Sequence, residues 1–177
     1  MSEFINPDPY LKGKVDLIAD PDDAIDIFLM GAGNDLRFYN IEELFHAAQL
    51  LHYFKDFVNE FGYNTEFEND PLMTGEVWLA PVYGFQFNEM IKKNKNLGFI
   101  YPKNTKIWRD NVAINSDSRN KQIALKFLNH LMNPKNSALN FKHNLYKPLN
   151  NEAFKYIPDD LKSNQYIYPD SNNLKLI

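Results

Sequence analysis

A tryptophan and an aspartate two residues apart are the first candidates for chemistry. Trp108 and Asp110 lie in the segment KIWRDNVAIN, residues 106–115. Its β-branched and aromatic residues, followed by Asn, Ser and Asp, predict a short strand. Because side chains alternate along a strand, both residues would point to the same face. There the carboxylate can bind an ammonium group while the indole covers the adjoining hydrocarbon. The alternative is a strand end with Trp108 in a core and a solvated Asp110.

Two aspartates three residues apart form a second candidate. Asp23 and Asp26 follow Pro21 and Asp22, which begin a predicted helix that runs to about Met30. Residues three apart are neighbours on a helix, so the two carboxylates would share one face of its first turns. They would act either as N-terminal charges that the helix dipole favours or as a carboxylate pair that holds a cation.

Strands and helices alternate around these candidates. A predicted strand over Gly13–Asp20 precedes the acidic helix, and a buried strand over Val77–Tyr83 precedes a helix over Phe85–Lys93. A further strand is predicted over Gly98–Tyr101. This order predicts an α/β fold with a mixed, mainly parallel sheet flanked by helices. Ligands bind beyond the carboxyl ends of strands in such sheets, where Tyr83 and the acidic helix start both fall.

The longest predicted helix spans Ile41–Phe61 and begins with a capping-box pattern of Asn40 and Glu43. Apolar residues at spacings of three and four predict a core-facing stripe on it. The stripe comprises Ile41, Leu44, Phe45, Ala48, Leu51, Phe54, Val58 and Phe61. A short strand is predicted at Thr65–Glu68.

The last third of the chain is predicted to be helical. A helix over Arg119–Met132 is followed by one from Pro134 to about His143 and a short one near Asn151–Tyr156. The first of these helices would turn an apolar face inward, formed by Ile123, Phe127, Leu128 and Leu131.

Composition excludes several classes of function. The net charge of −4 and the pI of about 5.5 disfavour a nucleic-acid partner, which requires a basic face. The absence of cysteine excludes thiol catalysis, disulfides and Cys-ligated zinc. With only four histidines besides, we expect no metal and no cofactor. No apolar run approaches the roughly 18 residues of a membrane span, so no direct membrane insertion is expected.

Five segments together resemble the carboxy-terminal half of the spermidine/putrescine-binding proteins of polyamine ABC transporters. They occur in the family's order, with nearly its spacings, over roughly residues 13–171. The segments are GKVDLIADPDDAIDIF (Gly13–Phe28), GEVWLAPVYG (Gly75–Gly84), IWRDNVAI (Ile107–Ile114), ALKFLNHLMNP (Ala124–Pro134) and IYPD (Ile167–Asp170).

The resemblance implies a two-lobed binding protein of the type II periplasmic-binding-protein fold that closes on a polyamine without catalysing a reaction. It implies a periplasmic or extracytoplasmic, membrane-associated location and ABC permease subunits as partners of the full-length protein. The family's ligand-binding positions carry over to Asp23, Asp26, Tyr83, Trp108 and Asp110. Tyr83 stands where the best-known members have tryptophan, and Asp26 where the family usually has glutamate.

The resemblance also implies a division of the chain. Residues 13–105 would form an α/β ligand-binding lobe, 106–115 a crossover strand or hinge, and 116–177 a helical segment that packs on a first lobe. That first lobe, and a glutamine beyond the YPD segment, have no counterpart here, so we expect a fragment, a split product or a degenerate copy. The apolar face of the helix after Ser116 would then contact solvent or another copy.

Two alternatives remain open. Related two-lobed proteins bind thiamine, metals or oxyanions, and Arg109 and Arg119 could serve an anion, although neither has a glycine-rich amide nest beside it. A carboxylate-based hydrolase is a further alternative, although no nucleophile constellation accompanies the carboxylates. Amine recognition instead requires carboxylate oxygens about 2.7–2.9 Å from each ammonium nitrogen. The five candidate residues should then surround one concavity.

Overall fold

The computed structural model describes residues 2–62, 69–102, 104–107, 109–168 and 175–176. The chain divides into two compact units, Met1–Lys106 with Leu174–Ile177, and Ile107–Asn173. The strand predicted at Thr65–Glu68 lies outside the described residues. The predicted three-part division with boundaries at 105 and 115 stays a prediction.

The first unit combines two small, two-stranded parallel sheets with helices. In chain order its elements are α1 (Ser2–Ile5), β1 (Val15–Ile18), α2 (Pro21–Gly31), α3 (Ile41–Phe54), β2 (Val58–Gly62), α4 (Pro71–Thr74), α5 (Gly84–Lys93), β3 (Asn104–Thr105) and β4 (Lys175–Leu176). β1 pairs with β2, and β3 with β4, both in parallel. The strand–helix order predicted for β1, α2 and α5 is confirmed.

β1 is paired along both of its edges. On one side it pairs with β2, with Val15 opposite Val58. On its other side a parallel bridge joins Val15 to Leu79, and the Asp16 N–H donates to the Leu79 carbonyl at 3.0 Å. Val15 and Leu17 are buried as a result, and the carboxyl end of β1 leads directly into α2.

α2 begins where its sequence predicts. Asp20 is the N-cap, and its Oδ1 accepts hydrogen bonds from the backbone N–H groups of Asp22 and Asp23, both at 3.0 Å. Pro21 occupies the first turn, where a backbone N–H would have no helical partner. The face of α2 that packs on the core contains the buried residues Ala24, Ile27, Phe28 and Leu29. Asp23 and Asp26 are therefore left on the side away from the core.

The helix predicted over Ile41–Phe61 is too long. Its capping box is confirmed, but α3 ends at Phe54, and a single 3₁₀ turn at Lys55–Phe57 leads into β2. The spacing of Val58 and Phe61 continued the helical pattern, yet their backbone pairs with β1. Tertiary pairing thus overrides the local helical pattern.

The predicted stripe of this helix is also partly wrong. Ile41, Phe45 and Phe61 are exposed, whereas Ala47 and Phe54 are fully buried. The buried face is therefore rotated by about one residue from the predicted one. It packs on α2, where Phe28 and Phe54 lie with ring centroids 5.5 Å apart.

Three predicted strands are not formed as expected. Val77–Tyr83 contributes only the bridge at Leu79, and neither Gly98–Tyr101 nor the described residues of 106–115 form a strand. β-propensity measures how well a side chain fits a pleated surface. A strand also needs a neighbouring strand that accepts and donates its backbone hydrogen bonds, and β-propensity does not predict whether one is present. Among the described residues from 98 to 115, strand pairing occurs only at β3, just before Lys106, whose partner is β4.

The second unit is helical, as predicted. It contains α6 (Lys121–Met132), α7 (Pro134–Asn144), a 3₁₀ helix at Asn151–Tyr156 and α8 (Asp159–Lys162). Its small core contains Ala138, Phe141, Ala153 and Ile157. This core joins α7 to the 3₁₀ helix.

α6 contributes no buried residue. Ile123 and Phe127 on its apolar face are 67% and 60% exposed, and Leu131 is exposed as well. The prediction that the helix turns these side chains inward is therefore wrong within this unit, because no described element of the unit covers them. The expectation from the resemblance that this face lies open is confirmed for these three side chains. Its packing on a first lobe stays a prediction.

Candidate ammonium-binding site

Asp23 and Asp26 lie beyond the carboxyl end of β1, on the first turns of α2. Their side chains are 26% and 13% exposed, so both carboxylates are largely covered but still reached by solvent. The Asp20 cap fixes the start of the helix. The helix spacing then sets the two carboxylates side by side.

Tyr83 reaches this carboxylate pair from the start of α5. Its backbone N–H donates to Oε1 of Gln86 at 3.0 Å, which fixes the residue at the helix entrance. Its phenolic O–H donates to Oδ2 of Asp23 at 2.6 Å, across sixty positions of sequence. The ring is stacked on that of Phe85, with centroids 5.8 Å apart. Tyr83 thus orients the Asp23 carboxylate and adds a ring beside it.

The ammonium group of Lys106 lies between the two carboxylates. Its Nζ is 2.9 Å from Oδ1 of Asp23 and 2.7 Å from Oδ2 of Asp26. Both distances match charge-assisted hydrogen bonds, as expected for an amine ligand. The Lys106 side chain is 39% exposed, so water reaches the cluster. The arrangement shows that these carboxylates can hold one primary ammonium group.

The charges in this cluster stabilise one another. Partial burial opposes the charge of Asp23, but hydrogen bonds from Tyr83 and Lys106 outweigh burial and lower the pKa of Asp23. Burial likewise opposes the charge of Lys106, but hydrogen bonds and attraction from Asp26 and Asp23 raise its pKa above the ordinary 10.5. At neutral pH the cluster therefore contains an ionised Asp23 and a protonated Lys106.

Tyr83→Phe is expected to raise the pKa of Asp23 toward its ordinary value of 3.8, because the substitution removes one of the hydrogen bonds that favour the carboxylate. Carboxyl-carbon NMR titration measures this directly. A lowered pKa contributes stability that is present above pH 3.8 and is lost as the pH falls through the folded-state value. Tyr83→Phe should therefore shrink the acid-induced loss of stability, by less than about 1 kcal/mol at this partly exposed site.

Tyr10→Phe is the matched control for this titration, since Tyr10 is exposed in the same unit. It should leave the pKa of Asp23 unchanged. An unaltered pKa in Tyr83→Phe would show that the hydroxyl contact does not persist in solution.

The structure brings together three of the five predicted site residues, Asp23, Asp26 and Tyr83. Trp108 lies outside the described residues. Asp110 lies in the second unit, where it is exposed. Convergence of all five residues on one concavity stays a prediction.

Lys106 was missed as a site residue, although the sequence contains a signal for it. It lies two positions before Trp108 and four before Asp110, so strand alternation would have placed all three on one face. The prediction for that segment rests on its indole and its carboxylate alone. A lysine in the same register marks a cation that the chain itself can bring to the site.

A second group of carboxylates lines a small cavity beside β1 and β2. Asp16, Glu60 and Asp70 contribute to its wall. Burial raises the pKa of Asp16, although hydrogen bonds from Asn59 and the Glu60 N–H oppose the shift. None of the predicted site residues lines this cavity.

Two structural findings concern metals and membranes. Over the described ranges, no three or more histidine or acidic side chains are grouped so that they could hold a metal ion. In the same part of the chain, no helix has both the length and the apolar character to cross a membrane.

A family model decides the class of protein. The model for bacterial extracellular solute-binding proteins matches residues 6–166, nearly the whole chain. The chain belongs to the bacterial extracellular solute-binding proteins. This membership confirms the resemblance inferred from the sequence at the level of a solute-binding family.

Curated relatives of this solute-binding protein agree with the family model. It is 26% identical over 161 residues to the spermidine/putrescine-binding periplasmic protein of Escherichia coli K12, covering 87% of this chain and 45% of that protein. It is 24% identical over 168 residues to spermidine/putrescine-binding periplasmic protein 1 of Haemophilus influenzae, covering 94% and 46%. The chain thus spans about half the length of these relatives.

Solved structures confirm the fold class. A Listeria monocytogenes protein provisionally assigned as a spermidine/putrescine ABC transporter matches with a TM-score of 0.81 and 28% identity, over 96% of this chain and 53% of that one. The substrate-binding protein of a Streptococcus pneumoniae spermidine/putrescine ABC transporter matches with a TM-score of 0.73 at 20% identity, over the same shares of both chains, and supports the fold alone. The α/β lobe of a type II periplasmic-binding-protein-like fold, as expected from the sequence, is confirmed.

Proposed function

We propose that this chain is part of an extracytoplasmic component of an ABC importer that binds a polyamine such as spermidine or putrescine. One observation carries the proposal. Asp23 and Asp26 hold a primary ammonium group at 2.7–2.9 Å, with Tyr83 bound to the same cluster. The names of the relatives support the same ligand class.

Recognition at this site requires no bond making. A polyamine presents ammonium groups separated by methylenes, and carboxylates bind the former while aromatic rings cover the latter. In our proposal Asp23, Asp26 and Tyr83 take one end of the ligand. Trp108 and Asp110 contribute the remaining ring and carboxylate. Permease subunits of the importer would then be the partners of the whole protein.

The site chemistry favours a cation over the alternative ligands. Asp23 and Asp26 present two carboxylates within reach of one ammonium, and such a pair repels sulfate or phosphate. The hydrolase alternative requires a general acid whose pKa is raised. The pKa of Asp23 is instead lowered, which suits a carboxylate that stays ionised to bind a cation.

A thermal-shift screen tests the proposal. Spermidine and putrescine should raise the melting temperature, whereas thiamine, sulfate and sugars should not. Ligand at ten times its dissociation constant stabilises a protein by about 1.4 kcal/mol, and each kcal/mol shifts the melting temperature by about 2–4 °C at this size. A shift with sulfate or sugars and none with amines would contradict the proposal.

Asp26→Asn should abolish most of the spermidine-induced shift, because it removes one of the two carboxylates that hold the ammonium. Asp22→Asn is the matched control. It makes the same change of charge in the same helix at an exposed side chain, so the shift should be retained. Equal responses of the two variants would show that spermidine binds elsewhere.

A further inference from the structure

We propose that Lys106 is an intramolecular competitor for the ligand: its ammonium occupies the position between Asp23 and Asp26 that one end of a polyamine would take. The inference rests on the proposed function and adds a residue that lowers the affinity of the site for a polyamine. Neither the sequence segment nor the relatives' names assign this role to Lys106.

The chemistry of the lysine side chain supports the competition. Four methylenes ending in a primary ammonium form an aminobutyl group, which is also present in putrescine and forms one arm of spermidine. Lys106 therefore presents to Asp23 and Asp26 the same donor, charge and hydrocarbon stem as the ligand. Its distances of 2.9 and 2.7 Å leave no room for a second ammonium between the same oxygens.

Charge adds to the steric conflict. With Lys106 in place, the two carboxylates and one ammonium sum to −1, against −2 for the carboxylates alone. The attraction for a dication or trication is correspondingly weaker. An external ammonium must therefore displace Lys106 before it gains both carboxylates. The apparent affinity is the affinity of the open site multiplied by the fraction of time that the site is open.

The position of Lys106 permits such displacement. Its side chain is 39% exposed, so its ammonium can move into water while the ammonium of the ligand takes its place beside the two carboxylates. It is also the last residue of the first unit before the chain enters the second. Lys106 therefore lies in a connecting segment and not inside a helix or strand.

Lys106→Met tests the inference by titration calorimetry with spermidine. Methionine keeps an unbranched stem and removes the charge. Spermidine should bind Lys106→Met at least about tenfold more tightly than the wild type, as expected when a site occupied nine-tenths of the time is opened. Adding Asp26→Asn to this variant should remove the gain.

Lys95→Met is the matched control for charge. Lys95 is exposed in the same unit, so its loss changes the net charge equally without opening the site. Its affinity for spermidine should stay within about twofold of the wild type. An equal gain in Lys95→Met would show a general charge effect and overturn the competitor role.

The outcomes separate this inference from the proposed function. Detectable spermidine binding of equal strength in wild type and Lys106→Met overturns the inference and leaves the proposed function intact. Absence of binding to both, with circular dichroism showing folded protein, overturns both proposals.

The wild-type chain provides a measurement that does not depend on the folding of any variant. Acetic anhydride acetylates neutral amines, and its attack at each lysine is followed by mass spectrometry. Displacement by spermidine frees Lys106 from the carboxylates that raise its pKa, so its acetylation should accelerate. Spermidine's own amines consume part of the reagent, so the rate at Lys106 is measured relative to the rate at the exposed Lys121. An unchanged or slower rate at Lys106 would show that the ligand does not displace it.

Discussion

Phe28→Ala is expected to lower the free energy of unfolding by about 3–5 kcal/mol, the largest stability effect we predict. Phe28 is fully buried and contacts Phe4 and Phe54, with ring centroids 6.3 and 5.5 Å away. Its ring fills the space between α2 and two other helices, so alanine would leave a cavity that the helices cannot fully close. Urea unfolding followed by circular dichroism measures the loss as a lower transition midpoint.

Phe45→Ala is the control for this experiment. It removes the same ring from α3, but Phe45 is exposed, so the change should stay within about 0.5 kcal/mol. Comparable losses in both variants would show that the helices pack differently in solution. The acidic residues lie on the same helix as Phe28, so its core contacts also hold the candidate site in position.

Asp110→Asn is expected to weaken spermidine binding by about 30- to several-thousand-fold in a fusion of this chain with the first lobe of a relative. In a closed two-lobed protein the carboxylate would be desolvated and paired with an ammonium. Removing one partner of such a pair costs about 2–5 kcal/mol, at about 1.4 kcal/mol per tenfold change in affinity. Titration calorimetry with spermidine measures the difference.

The 177-residue chain alone should bind spermidine only weakly, and the same substitution should have little effect in it. Asp110 is exposed there, and an exposed ion pair contributes only about 0–1 kcal/mol, which is less than about sixfold in affinity. Asp117→Asn, at another exposed aspartate of the second unit, should change neither protein. Tight binding by the chain alone that depends on Asp110 would show that a first lobe is not needed.

Local sequence signals determined the starts of the helices. The helix start at Pro21 and the Asn40–Glu43 capping box both depend on residues within one helical turn, and both form as predicted. The Asp20 cap, which the sequence analysis did not name, acts over the same short range. The same holds for the acidic pair, because Asp23 and Asp26 are neighbours through helix geometry alone. These features needed no information about distant parts of the chain.

Strand pairing and helix length were decided by the tertiary structure. The residues at 58–62 continued an apolar helical spacing, yet they form β2 because β1 offers an edge for hydrogen bonding. In the same way, 77–83 was predicted as a buried strand but forms one bridge. A strand exists only where a partner backbone lies alongside, and a partner forty or more positions away leaves no local pattern.

The candidate site was likewise determined partly by the local sequence and partly by the tertiary structure. The sequence identified Asp23, Asp26 and Tyr83 as separate candidates and indicated a cationic ligand from their chemistry. Only the folded chain showed that the Tyr83 hydroxyl contacts Asp23, and that Lys106 supplies an ammonium from eighty positions away. Contacts of that range depend on how β1, α2 and α5 pack together. No spacing along the sequence encodes that packing, so only the tertiary structure showed that Lys106 binds Asp23 and Asp26.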